Sequence, residues 1–192
     1  MKKQTWKAGN MLYPVPAVMV SCKGVKDEEE KENIITVAWA GTVCSDPAMV
    51  SISVRKERYS HDLIKTGGDF VINLVTKDLC FATDYCGVRS GKDVDKFKEM
   101  KLTKETSVNV NSPAIKESPV NIECKVTQVL ELGSHDMFLA KVECVRVDES
   151  LLDEKGTLHL DKADLVAYSH GSYYCLGDFI GKFGYSVKKK GR

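Results

Sequence analysis

Apolar and polar positions alternate with a period of two over several stretches of this chain, and that period predicts β-strands. Between Met49 and Arg55, Val50, Ile52 and Val54 face one way, while Ser51, Ser53 and Arg55 face the other. Val120, Ile122, Cys124 and Val126 alternate with Asn121, Glu123, Lys125 and Thr127, which predicts a half-buried antiparallel strand over Val120 to Leu130. Gly133-Ser134 supplies a turn, and Phe138 to Val147 returns as the hairpin partner. Ala17 to Cys22, Phe70 to Val75 and Leu165 to Ser169 read as further strands. Ile34 to Trp39 is apolar on both faces except at Thr36, so a central place in a sheet is expected. The charge run from Lys26 to Glu32 reads as a solvated hairpin loop.

Helical spacing is scarcer. Ser60 reads as an N-cap, with Asp62 in the first turn and Gly67-Gly68 closing the helix. Thr76 opens a second helix carrying Leu79, Ala82 and Cys86 and ended by Gly87. Asp93 to Met100 predicts a third, with Val94, Phe97 and Met100 on its apolar side. Many strands, few short helices and no βαβ rhythm predict an antiparallel barrel or sandwich. No repeat or linker divides the chain, so one domain over residues 1–192 is expected, with an N-terminal arm at about 1–14 and a C-terminal arm at about 171–192. The aromatic, Gly-rich part of that second arm, Tyr173 to Tyr185, reads as packed.

Charge narrows the function. A formal net charge of +1 lacks the basic excess of a nucleic-acid surface, and Lys188 to Lys190 reads as a solvated tail. The apolar stretch from Leu12 to Val20 is broken by Pro14 and Pro16 and is too short for a bilayer, so a cytoplasmic protein without membrane contact is expected. The seven cysteines form no C-x-x-C pair, which argues against zinc or iron–sulfur ligation and for small apolar residues in a reducing compartment. Cys44, in the loop before Ser45, is the candidate for a redox or ligand-contact role. There is neither a G-x-G-x-x-G fingerprint nor a P-loop, so a nicotinamide cofactor would bind only transiently.

The strongest candidate chemistry lies where the strand ending at Arg55 meets the helix starting near Ser60. Ser53, Arg55, Arg58 and Ser60 bring hydroxyls, guanidinium groups and a helix N-terminus together, a set that holds an anion such as a phosphate. Each has a plainer reading: an arginine paired with Glu57 or Asp62, a serine that only caps. His135, in Gly-Ser-His-Asp, is either a turn residue or a proton donor.

Taken in order, N-I-I-T-V-A-W (33–39), S-D-P (45–47), S-V-R-K-E-R-Y-S-H-D-L-I (53–64), G-D-F-V-I-N-L (68–74), C-G-V-R-S-G-K-D-V-D-K-F (86–97), S-P-V-N-I-E-C (118–124), L-G-S-H-D-M-F (132–138) and L-G-D-F-I-G-K-F-G (176–184) resemble the FMN-binding flavin reductase-like family, which includes the flavoredoxins. The resemblance implies an FMN-binding split β-barrel of Greek-key type with a few short helices, built as a homodimer. It implies FMN as cofactor and NADH or NADPH as transient hydride donor. The electron acceptor would be a second flavin, a ferric complex or a redox protein.

By the same resemblance Thr36, Ala38 and Trp39 border the flavin ring, although Trp39 also reads as core or dimer interface. Thr42, Cys44 and Ser45 would reach its pyrimidine edge, and Ser53, Val54, Arg55, Arg58 and Ser60 its phosphate side. Lys92, Asp95 and Lys96 would contact it, Lys96 alternatively pairing with a surface carboxylate. His135 would face the open side of the ring. Two active readings stand, an NAD(P)H-dependent flavin reductase and a flavoredoxin-like electron carrier. The alternative is a non-catalytic flavin- or haem-binding module.

Overall fold

The alternating segments become strands. In the computed structural model, which describes residues 1–187, β1 (Val15–Pro16) leads into β2 (Val18–Lys26), β3 (Glu29–Val37), β4 (Ala40–Ser45) and β5 (Ala48–Arg55). Helix α1 (Tyr59–Gly67), β6 (Asp69–Leu74), α2 (Cys80–Val88) and α3 (Lys96–Glu99) follow. After the short β7 (Lys104–Glu105) and β8 (Ala114–Ile115) come the long β9 (Val120–Glu131) and β10 (His135–Val147), then β11 (Val166–Ser169) and β12 (Ser172–Cys175). The Lys188–Lys190 run lies outside the described residues.

Seven strands form one sheet in the order β3-β2-β6-β9-β10-β5-β4, each neighbour antiparallel. The sheet curls until its ends approach. The Ser53 N–H donates to the carbonyl of Trp39, just after β3, at 2.9 Å. That bond carries the β4–β5 pairing back to the end of β3, so the two end strands, β3 and β4, follow one another in the chain and the sheet forms a split barrel. Inside it pack Val20, Ile35, Val37, Ile52, Phe70 and Phe138, closed by Leu63 and Ile64 of α1. A second core lies outside the barrel, where Met19 and Ile34 meet Ala82 and Cys86 of α2 and Phe97 of α3.

That second core corrects the expected place of Ile34–Trp39. β3 ends the ladder rather than sitting centrally, and both its faces are buried because α2 and α3 cover the outer one. β9 is likewise not half-buried in its first half. Asn121 and Glu123 are buried under the 104–118 segment, and the Glu123 carboxylate accepts the N–H groups of Val108 and Asn109 at 2.9 and 2.6 Å. The Lys26–Glu32 run is mostly strand, turning only at Asp27 and Glu28, both with positive φ.

Four helix boundaries move: α2 begins at Cys80 and not at Thr76, whose hydroxyl accepts the Leu79 N–H at 3.3 Å in the turn before it. Ser60 is not an N-cap: Arg58 holds that position, and Ser60 lies inside α1. Gly68 does close the helix, its left-handed φ of 75° suiting a residue without Cβ. Gly87 lies within α2, which runs on to Val88, and α3 begins only at Lys96 because the Asp95 carboxylate caps it. The Tyr173–Tyr185 segment is not packed throughout. It opens with β12 paired to β11, whereas Phe179, Ile180 and Phe183 are exposed on this chain. Among the described residues no helix is long and apolar enough to cross a membrane.

Candidate functional site

The split between β3 and β5 opens into two adjoining cavities of about 340 and 230 Å³, which share Ile35 and Arg58. The barrel's topology brings the end of β3 (Thr36, Ala38), Trp39 and the polar face of β5 (Ser53, Arg55) to the first. His135 enters at the start of β10, where it pairs in register with Arg55, and Tyr168 of β11 adds an aromatic wall. Val54 lines this cavity although its side chain belongs to the barrel core.

The second cavity is a cationic hollow at the α1 N-terminus. Arg58, Arg89 and Lys96 line it with Ser60 and Ser90, and Glu57 is the one carboxylate among its lining residues. Arg58 has no carboxylate partner among the described residues, whereas Arg55 pairs with Glu57 at 3.3 Å, as its plainer reading expected. Ser60 is fully buried, and its Oγ accepts the Asn33 Nδ2–H at 2.8 Å. Gly91 brings its backbone against Asn33: a Cβ there would lie 2.3 Å from Asn33 Oδ1.

Lys96 is the unexpected member. It makes no surface ion pair. It is buried, and its Nζ donates to the carbonyls of Ile34 and Cys86 at 2.6 and 2.7 Å. An ammonium has three donors, so one remains for a ligand in the hollow. Burial pulls its pKa down to about 8, opposed by the nearby Cys86 and Cys22 thiols and aided by Arg58.

The Thr36 hydroxyl donates to the Thr83 carbonyl of α2, so its partner is the fold. His135 Nδ1 lies 2.9 Å from Ser134 Oγ. Burial and then the Arg55 charge lower the His135 pKa, which favours a neutral imidazole near neutral pH. Thr42, Cys44 and Ser45 are not in a loop and line neither cavity. They lie on β4, where the Cys44 thiol donates to the Asp46 carbonyl at 3.4 Å. Lys92 opens instead onto a separate charged cleft with Glu30, Glu32 and Lys104. Asn33, Arg89, Ser90 and Tyr168 were not singled out from the sequence.

The arrangement can hold an elongated ligand with an anionic end in the hollow and a flat end between Trp39, Tyr168 and His135. Among the described residues no cluster of His, Cys, Asp or Glu suits a metal ion.

A barrel split over such a groove defines a flavin-binding class, and the comparisons agree: residues 10–176 match the model of the flavin reductase like domain, and the chain belongs to that family. It is similar to the flavoredoxin of Desulfovibrio vulgaris (Miyazaki F), with 32% identity, a TM-score of 0.88 and coverage of 97% of this chain and 100% of that one. The flavoredoxin from Methanosarcina acetivorans is 26% identical, with a TM-score of 0.85 over 98% of this chain and 100% of the other. An uncharacterized protein of Archaeoglobus fulgidus is 31% identical over 75% of this chain and 78% of its own length.

Proposed function

We propose that this chain binds FMN in the groove and acts as a flavin-dependent oxidoreductase, reduced by NADH or NADPH or, as in a flavoredoxin-like carrier, by a redox protein. The observation that carries this reading is the cationic hollow joined to an aromatic-walled cavity. Arg58, Arg89, Lys96 and the α1 N-terminus supply fixed positive charge and donors for a phosphate. Trp39 and Tyr168 supply faces for a ring system. The cationic and hydroxyl donors of the hollow therefore fit the phosphate of FMN.

Bound FMN would supply two-electron and one-electron redox chemistry, which no side chain offers. The protein's own part is to bind, orient and tune. Arg58 and Ser60 would fix the phosphate, Asn33 orients Ser60, and Lys96 places a cation where the ligand enters. Neutral His135 on the rim can donate or accept one hydrogen bond toward a hydride donor. A homodimer, expected from the family, suits the exposed Phe179, Ile180 and Phe183.

The test is a visible absorption spectrum of the purified protein, taken without oxygen before and after adding NADH or NADPH. A flavin spectrum that bleaches quickly supports the reductase reading. A bound flavin that resists both nucleotides supports the carrier. A colourless protein that takes up no FMN overturns the proposal.

A further inference from the structure

A third cavity, of about 680 Å³, also has Trp39 in its wall. Met11, Leu12 and Tyr13 of the N-terminal arm form one side, and Ala40, Gly41 and Met137 form much of the other. Every residue lining it is uncharged, in a chain with 29% charged residues and beside a groove built around arginines and a lysine. Its size and its apolar walls with a few hydroxyls are those of a small-molecule site.

Two observations tie it to the groove. Ala38, Trp39 and Ser53 line both spaces, so a ligand here would abut the flat end of a ligand there. The arm forming the outer wall is anchored: the Tyr13 ring lies 6.3 Å from Trp39, 6.0 Å from Tyr168 and 5.9 Å from His170, the last edge-on.

We propose that this cavity is the electron-acceptor site, and that the acceptor is a flat, uncharged carbonyl ring of the quinone class. The inference rests on FMN occupying the groove. An anionic ferric complex or a nucleotide phosphate finds no countercharge among the cavity's lining residues. A quinone carries no charge, and the hydroxyls of Ser51, Ser53 and Tyr13 can donate to its carbonyl oxygens. Reduction turns both ring carbonyls into hydroxyls and consumes two electrons and two protons, which reduced FMN, if bound in the groove, would supply.

Gly41 allows a clean test. It pairs with Ser51 across β4 and β5, so the two share a face, and a Cβ at Gly41 meets no atom within 4 Å. Gly41→Phe therefore places a ring in open space at this cavity, and Gly41 itself lines neither cavity of the groove. Equilibrium dialysis would use tetramethyl-benzoquinone, whose blocked ring cannot alkylate the exposed Cys175. Its trimethyl analogue bearing a carboxymethyl group serves as the charged comparison. FMN retention is read first, by absorbance of the same sample.

The neutral quinone is expected to bind at least about tenfold more tightly than the charged analogue. Gly41→Phe is expected to weaken it by at least about tenfold with FMN retained. Equal binding of the two quinones, no binding, or indifference to Gly41→Phe overturns the inference. So does a sedimenting dimer that buries this face and excludes the quinone. Failure to retain FMN overturns the proposed function instead, and the dialysis then decides whether the cavity binds quinones by itself.

Discussion

His61 Nε2 lies 2.8 Å from Asp136 Oδ2, joining the first turn of α1 to the start of β10. Both residues are buried, and His61 Nδ1 also lies 3.2 Å from Asp62 Oδ1. Lys56 Nζ adds a contact to Asp136 Oδ1 at 3.3 Å, and Lys26 pairs with Asp62 at 2.5 Å. The bond ties together two elements that both feed the groove: Arg58 and Ser60 lie just before His61, and His135 just before Asp136. For Asp136, burial favours the neutral acid, but the His61 and Lys56 hydrogen bonds and charges outweigh it and hold its pKa low.

The first expectation concerns stability. A depressed carboxyl pKa contributes stability that is present above the unfolded value and lost as pH falls through the folded one. Asp136→Asn should therefore lower Tm near neutral pH, by roughly 4–10 °C, and should flatten the acid side of the stability profile. Far-UV circular dichroism melts across pH would show it. An unchanged Tm would mean that Lys56 and solvent replace the pair.

Removing a cation from the hollow should weaken FMN binding directly. Arg58→Ala should raise Kd for FMN by at least about tenfold, since a charge-assisted phosphate contact contributes ~1.5–3 kcal/mol. Ser60→Ala should also weaken it, and would leave the Asn33 amide without its acceptor. Fluorescence titration of the FMN-free protein measures both. An unchanged Kd for Arg58→Ala would remove the phosphate from this hollow.

Lys96 gives two pH trends of opposite sign. Its folded pKa, near 8, lies below the ordinary 10.5, so over that interval the unfolded chain holds the proton and the folded one releases it. Stability of the FMN-free protein should therefore rise between those values. Affinity for an anionic ligand should fall over the same interval, by up to about tenfold per pH unit, because the bound form needs the ammonium. Lys96→Met should abolish both trends. Parallel melts and titrations check this, and trends of the same sign would place the phosphate away from Lys96.

Much of the barrel was legible because β5 presents Val50, Ile52 and Val54 to the barrel core and its polar residues outward, while β2 and β6, buried on both faces, show as short apolar runs. β4 was not, since an edge strand with Gly41, Thr42, Val43 and Ser45 all exposed has no buried face to impose a period. β3 showed its burial but not its place, because a helix and a strand neighbour leave the same apolar pattern. In the groove, Arg58, Ser60 and His135 stand out as polar residues at element ends. Asn33 and Tyr168 do not: one is a polar residue within a strand, the other an aromatic among aromatics, and only the closing of the barrel brings them to the site. Lys96 is harder still, since a lysine amid Lys92, Asp93, Asp95 and Lys98 gives no sign of burial.

The last expectation separates the two placements of the ring-edge contacts. If Thr42, Cys44 and Ser45 reach the flavin, as their position after Trp39 suggests, replacing all three by Ala should weaken FMN binding severalfold. The structure sets them on a strand whose residues line neither groove cavity. The triple replacement should therefore leave Kd within about twofold, in keeping with exposed sites that make no special contact. His135→Ala serves as the contrast within the same titration. It lies on the rim and should also leave FMN bound, yet slow reduction by NADH or NADPH about tenfold or more if it orients the donor. Stopped-flow reduction read beside the FMN titration gives both numbers. A triple variant that loses FMN would restore the β4 contacts, and an unslowed His135→Ala would leave that histidine as a turn residue held by Ser134.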